Sequence, residues 1–260
     1  MVTSTRQCLT RSTARVVEII VAVAAVGTAV AASEPSTWPH FLPSRASFSA
    51  GVAASVERVW RRPTLTRTVE GTPARVSLET YDAFVDAPDV TAEAARHLNL
   101  AKYVVRVMDA GWYQADDGEG AYGVYRVLVR TPTRRVILSW GHHSGAILGT
   151  ITGSALTLLE FEDRGDEVGQ KLTAYVLIDN RVAAALARSL VAVFSSVVDR
   201  KLTEGFRVTA RVADWARAKP DEFCPWLRAQ QLDQRRLERL SAAAGCATTD
   251  GRHAVPSVSR

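Results

Sequence analysis

The sequence predicts an α+β fold: a curved antiparallel sheet wrapped around a long C-terminal helix, with a C-terminal helical extension after it. Three observations predict this. From Tyr103 to Ile178 the chain is a succession of apolar-rich, strand-like segments joined by short turn-forming links. Links that short connect antiparallel neighbours, whereas parallel strands need crossovers of a dozen or more residues. Immediately afterwards comes VAAALARSLVAVFSSVVDRKLTEGF, in which Val182, Leu186, Leu190, Phe194, Val197/Val198 and Leu202 step by three or four, the period of an amphipathic helix. A meander of that length curls, and its concave face is too wide for its own side chains to fill. The helix is the segment long enough to cover it.

In chain order, residues 1–32 read as a signal peptide or an N-terminal anchor. Arg6, Arg11 and Arg15 precede an uncharged run of 15 residues from Ile19 to Ser33. A membrane-spanning helix needs about 20 apolar residues. A signal h-region needs about 7–15, followed by small residues, and Ala29-Val30-Ala31 supplies them. The chain is therefore expected to be exported, to the periplasm or the medium, with membrane anchoring by an uncleaved segment as the alternative. Cleavage removes three Arg and one Glu and takes the net charge from +5 to +3. No Lys/Arg run is interleaved with aromatics, so nucleic acid is not an expected partner.

Residues 33–72 read as a lead-in that wraps the main domain. Pro35, Pro39, Pro43 and Pro63 punctuate it, and Val52, Val56 and Val59 suggest a short helix over Phe48–Trp60. The main domain is expected over 73–217. Val76, Leu78, Thr80 and Phe84 alternate as in a strand. A helix then runs to about Leu98, capped by Asp89 or Thr91. Strands follow at Tyr103–Ala115, Gly120–Thr131, Arg134–His143, Ile147–Asp163 and Glu167–Ile178, with Gly149 and Gly153 marking a bend or bulge in the fourth. Asn180 is a candidate N-cap for the long helix, and Pro220 closes it. Over 218–246 a last helix is expected from Cys224-Pro225 to Gly245, and 247–260 reads as a disordered tail. Two cysteines remain after export, Cys224 and Cys246. A straight 20-residue helix is about 30 Å long, too far for a disulfide between its ends, so the sequence leaves their pairing open.

The order of elements resembles the START-like, or helix-grip (SRPBCC), superfamily, which also contains plant allergen-type binders and polyketide cyclases. The resemblance covers about residues 73–217 and rests on ETYDAFVDAPDVTAEAARHL at the opening and LTAYVLIDNRVAAALARSL at the close. It implies a pocket for lipids, sterols or other apolar small molecules between sheet and helix.

Strand parity nominates the residues that would line such a pocket. In Gly120–Thr131, Arg134–His143 and Ile147–Asp163 these are Tyr125, Val127 and Val129; Val136, Leu138, Trp140 and His142; and Thr157, Leu159 and Phe161. From the closing helix, Leu190, Phe194 and Val198 would face them. His142-His143 point to opposite faces of a strand and cannot readily share a metal, so neither a metal nor a cofactor is expected. Asp116, Asp117 and Glu119 around Gly118 read as a solvated hairpin tip, with calcium ligation as the rarer alternative. The sequence holds no G-x-S-x-G, phosphate loop or H-E-x-x-H. The expected function is an exported binding or carrier protein for a lipid or other hydrophobic small molecule, in transient contact with membranes. The alternative is an enzyme of the polyketide cyclase/dehydratase type with His142 or Arg126 acting on the ligand. A third reading, a surface-interaction protein, requires a filled core.

Overall fold

A computed structural model of the chain describes residues 38–145 and 149–246, with the backbone alone at residues 110, 145 and 181–198. The assignments made for 1–32 and 247–260 lie outside the described residues.

Seven strands form one antiparallel sheet in the order β1-β7-β6-β5-β4-β3-β2. They are β1 (Leu65–Glu70), β2 (Val104–Val107), β3 (Trp112–Asp116), β4 (Ala121–Thr131), β5 (Arg134–Gly145), β6 (Gly149–Asp163) and β7 (Val168–Ile178). The helices are α1 (Ala50–Arg61), α2 (Leu78–Val85), α3 (Pro88–His97), α4 (Arg181–Ala218), α5 (Pro220–Arg228) and α6 (Gln234–Ala243). α4 has 38 residues, about 57 Å at 1.5 Å per residue. Among the described residues no helix is long and apolar enough to cross a membrane.

Four expectations change. In place of the strand expected over 76–84, residues Leu78–Val85 form a helix, α2. Ser77 caps it by accepting a hydrogen bond from the Thr80 amide (3.2 Å), and Tyr81 and Phe84 lie three apart on its buried face. The first strand is β1, inside the lead-in, which thus supplies an edge of the sheet as well as wrapping it. The sequence LTRTVE buries only Val69, so its polar edge character hid it. The segment 103–115 is two strands, β2 and β3, folded back through a 3-10 turn at Asp109–Gly111. The helix expected over 224–245 is two helices, with Asp233 capping α6. That break turns the chain back, and Cys224 and Cys246 are disulfide-bonded with Cα atoms 5.7 Å apart. Further, α3 begins at Pro88, after Ala87, so Asp89 and Thr91 lie in its first turn and are not its cap.

Three glycines form a row across the sheet. Gly123 pairs with Gly141, and Gly141 with Gly153. A Cβ on any of them would lie 2.5–2.6 Å from a carbonyl oxygen of the adjoining strand. The β5–β6 register runs without a shift through Gly153, so no bulge lies there; the bulge is in β4, between Val127 and Val129.

Apolar clusters cover both faces of the sheet. On the inner face, α2, α3 and the C-terminal half of α4 pack with α5 and α6 around Phe84, Val168, Phe206, Val212, Phe223 and Leu227. On the outer face, α1 and the Phe41-Leu42 segment pack Val56 and Val59 onto Val136, Leu138, Leu156 and Leu158. Phe41 stacks on Tyr175 there, and Trp60 meets both rings edge-on, with ring centroids 4.8–6.0 Å apart.

Candidate ligand-binding cavity

Between the inner face of the sheet and α4 lies a cavity of about 400 Å³. That is within the range of small-molecule sites. The sheet contributes Val105 from β2, Tyr113 from β3, Tyr125 and Val127 from β4, Ile137 and Ser139 from β5, Thr157, Leu159 and Phe161 from β6, and Leu172 from β7. Tyr81, Phe84 and Val85 of α2 and Thr91 and Ala92 of α3 close one side. Leu202, Gly205, Phe206 and Thr209 present one face of α4 at helical spacing. At Gly205, an exposed position of α4 bordering the cavity, a Cβ would meet nothing within 4 Å. The described residues thus leave a space where the surface-interaction reading requires a filled core.

The wall is mostly carbon, with its polar groups in a few places. Tyr113 and Tyr125 are directly opposite on β3 and β4 and stack with centroids 5.0 Å apart. Burial pushes the Tyr125 hydroxyl well above the usual phenol range, and the neighbouring Tyr113 and Asp89 act in the same direction. Burial does the same to Tyr81 and Tyr103. The Tyr81 hydroxyl donates to Gln170, whose amide in turn donates to the Thr72 carbonyl (2.7 Å). These hydroxyls stay neutral at ordinary pH and offer hydrogen bonds without charge.

At the end of the cavity beside the α2–α3 junction the wall becomes charged. Here the β4 bulge decides which side chains point inward. Val127 pairs with Ile137, but Val129 pairs with Val136, so one extra residue switches the parity of β4. Odd-numbered Tyr125 and Val127 face the cavity before the bulge, and even-numbered Arg130 faces it afterwards, opposite Arg135. Arg135 is almost fully buried, with 2% of its side chain exposed. It donates to Asp86 (2.9 Å), to Asp82 and to the carbonyls of Thr131 and Arg134. Arg239 of α6 reaches both aspartates, at 3.1 Å and 2.9 Å.

Of the residues nominated from strand parity, Tyr125, Val127 and Leu159 line the cavity, as do Thr157 and Phe161. Val129, Val136 and Leu138 do not; they pack on the outer face under α1 and its neighbours. Trp140 packs on that cluster too, and with His142 borders a second, shallower hollow of about 450 Å³ further along the sheet. The side chains of Leu190, Phe194 and Val198 lie outside the described residues. The β5 parity went the wrong way because its outer set (Val136, Leu138, Trp140) is more apolar than its inner set (Arg135, Ile137, Ser139, Gly141). A sheet buried on both faces removes the contrast that parity relies on. Arg130 and Arg135 carried no signal of their own, since a bulge and a buried ion pair are invisible to alternation.

The enzyme reading needs His142 or Arg126 at the ligand. Neither lines the main cavity: His142 stacks beside Tyr122 (5.7 Å) and the Arg126 guanidinium sits 5.9 Å from the Trp112 ring centroid. The Asp116–Glu119 tip is occupied by its own chain and by α4. Asp117 accepts from the Glu119 and Ala121 amides (2.7 and 2.9 Å), and Lys201 pairs with Glu119 and, at 3.5 Å, with Asp117. Among the described residues no group of three His, Cys, Asp or Glu is placed to hold a metal ion.

No protein-family model matches the chain, and no curated protein does. Solved structures with a similar trace include a conserved protein from Geobacillus kaustophilus (13% identity, 58% of this chain and 97% of that one, TM-score 0.45). Others are the Mll3558 protein from Rhizobium loti (14%, 57% and 96%, 0.39) and Ara h 8.0201 (11%, 57% and 98%, 0.37). Likeness at this level says nothing about ligand or reaction. By its own strand order and its long closing helix, the chain has the helix-grip fold, with one helix added before the sheet and two after α4.

Proposed function

We propose that the protein binds a hydrophobic small molecule, lipid-like in its apolar area, in the cavity between sheet and α4, and that it works as an exported binding or carrier protein. The observation that carries this reading is the carbon-walled space of about 400 Å³ with neutral tyrosine hydroxyls at its edge. Burial supplies the affinity: each methylene moved from water into such a wall contributes about 0.8 kcal/mol, so a tail of ten carbons needs few polar contacts. Transient contact with a membrane is the natural route for loading a poorly soluble ligand. The Cys224–Cys246 disulfide supports export, because such bonds persist in oxidising compartments.

Gly205→Leu tests the reading. It adds a large side chain at an open position of α4 that borders the cavity while replacing the poorest ordinary helix former with a good one. The wild-type chain is expected to take up N-phenyl-1-naphthylamine with enhanced fluorescence, or to release lipid on organic extraction. The variant should melt no lower than wild type and bind the fluorophore at least about tenfold more weakly. A wild-type chain that neither takes up the fluorophore nor carries lipid overturns the reading, as does a folded Gly205→Leu chain with undiminished uptake.

A further inference from the structure

We infer that the ligand is an amphiphile with one anionic group, a carboxylate on an apolar body, and that Arg130 receives the carboxylate at the α2–α3 end of the cavity. The inference rests on the binding function proposed above and specifies the chemistry of that same site.

Three arginines, Arg130, Arg135 and Arg239, converge on two aspartates, Asp82 and Asp86. Arg135 and Arg239 occupy all four carboxylate oxygens. Arg135 takes Oδ1 of each aspartate, and Arg239 takes Oδ2 of each. Arg130 is left over. Its Nε stands 3.3 Å from Asp86 Oδ1, an oxygen already held by Arg135, and among the described residues Arg130 donates no hydrogen bond. Asp89, the next acid along, is taken by Arg236 at 2.5 Å. The cluster therefore carries one uncompensated positive charge, on a planar fork suited to a bidentate carboxylate.

The location fits. Arg130 lines the cavity and yet is 45% exposed, so its guanidinium bridges the apolar interior and solvent. A ligand with its chain inside and its carboxylate at this end buries carbon without burying an unpaired charge. The arrangement is also built at some cost. Like charges directly opposite on paired strands are destabilising, and without the β4 bulge Arg130 would point to the other face. Arg239 comes from α6, so the C-terminal extension is what saturates the aspartates and leaves Arg130 unfilled.

The test compares decanoate, 1-decanol and decylamine by calorimetry on the full chain at pH 8, low salt and concentrations below micelle formation. The three share a tail and differ in head charge. Wild type is expected to bind decanoate at least about tenfold more tightly than decanol, the size of one charge-assisted hydrogen-bonded contact, with decylamine weakest. Arg130→Gln should bring decanoate to within about threefold of decanol and leave decanol unchanged. Arg239→Gln, at a half-exposed position, should also shrink the decanoate preference, because it releases two carboxylate oxygens to Arg130. Equal binding of decanoate and decanol by wild type overturns this inference alone, as does an Arg130→Gln chain that keeps the preference. Failure of all three to bind overturns the proposed function as well.

Discussion

Removing the disulfide with Cys224→Ala and Cys246→Ala together should destabilise the whole domain, not merely its C-terminal end. The bond closes a loop with a sequence separation of 22. In the chain-entropy description that loop restricts the unfolded chain by about 11 cal/mol/K, or about 3.4 kcal/mol at 25 °C. For a chain of this size a loss of that order lowers the melting temperature by about 7–13 °C. The loss should be global because α5 and α6 share the inner core. Phe223, Leu227, Leu240 and Ala244 are buried in the same cluster as Phe84, Val212 and Ala216, and Phe223 packs edge-on to Phe84 and Trp215. Urea unfolding of the oxidised wild type and the double variant, followed by tryptophan fluorescence and by far-UV circular dichroism, measures it. One coincident transition, moved to lower urea with an unchanged slope, is expected. A loss below about 1 kcal/mol, or an early separate transition for the extension, would refute the reasoning.

Three other outcomes are expected. Gly141→Val should cost about 1–3 kcal/mol, the range for overpacking, because its Cβ would stand 2.5 Å from the Tyr122 carbonyl oxygen; thermal melts would show it. Stability should fall above pH 10: the buried Tyr81 phenol and the half-buried Tyr125 phenol are raised in the fold, so the unfolded chain releases those protons first and binds fewer of them there. The Tyr81 share approaches about 1.4 kcal/mol per pH unit, and urea midpoints between pH 9 and 11.5 should show a shallower alkaline slope for Tyr81→Phe than for wild type. Val56→Ala, at a fully buried position beneath the outer face, should cost about 2 kcal/mol and leave fluorophore affinity unchanged; weakened binding at intact fold would show that the two faces are coupled.

The meander and its closing helix were legible because they depend on local signals that agree. Turn residues recur between strand-length apolar runs, and α4 keeps its period over many turns. What was not legible follows from competition between patterns. In 76–84, alternation of Val76, Leu78 and Thr80 fits a strand as well as a capped helix, and the Ser77 hydroxyl on the Thr80 amide decides for the helix. β1 lacks an apolar stripe because one strand edge faces solvent and only Val69 is buried. The cavity was half legible: Tyr125, Val127 and Leu159 followed from parity, whereas β5 was turned over because α1 makes its outer face the greasier one. Arg130 is the hardest case. Its inward direction depends on one inserted residue, and its lack of a carboxylate of its own depends on Arg239, more than a hundred positions away and on a helix.

These additions explain how the chain tolerates a hollow. A domain that leaves about 400 Å³ unfilled gives up dispersion contacts along the whole lining. In this chain the deficit is offset away from the cavity. The outer face is closed by α1, with Val56 and Val59 fully buried against Val136, Leu138 and Leu156. Beyond the far end of α4, α5 and α6 complete an aromatic-rich core and are stapled by the disulfide. α1 packs on the face of the sheet opposite the cavity, so substitutions there change stability and leave the inner wall alone, whereas α5 meets the lining at Phe84, against which Phe223 packs edge-on. The inner residues of β4 and β5 include a tyrosine, a serine and Arg130, which shares Asp86 with Arg135 and Arg239. The same division explains why hydrophobicity was a poor guide to the site: the most apolar stripe of the sheet is the one that holds it to α1, and the stripe facing the ligand is more mixed because recognition, not packing, is what it must satisfy.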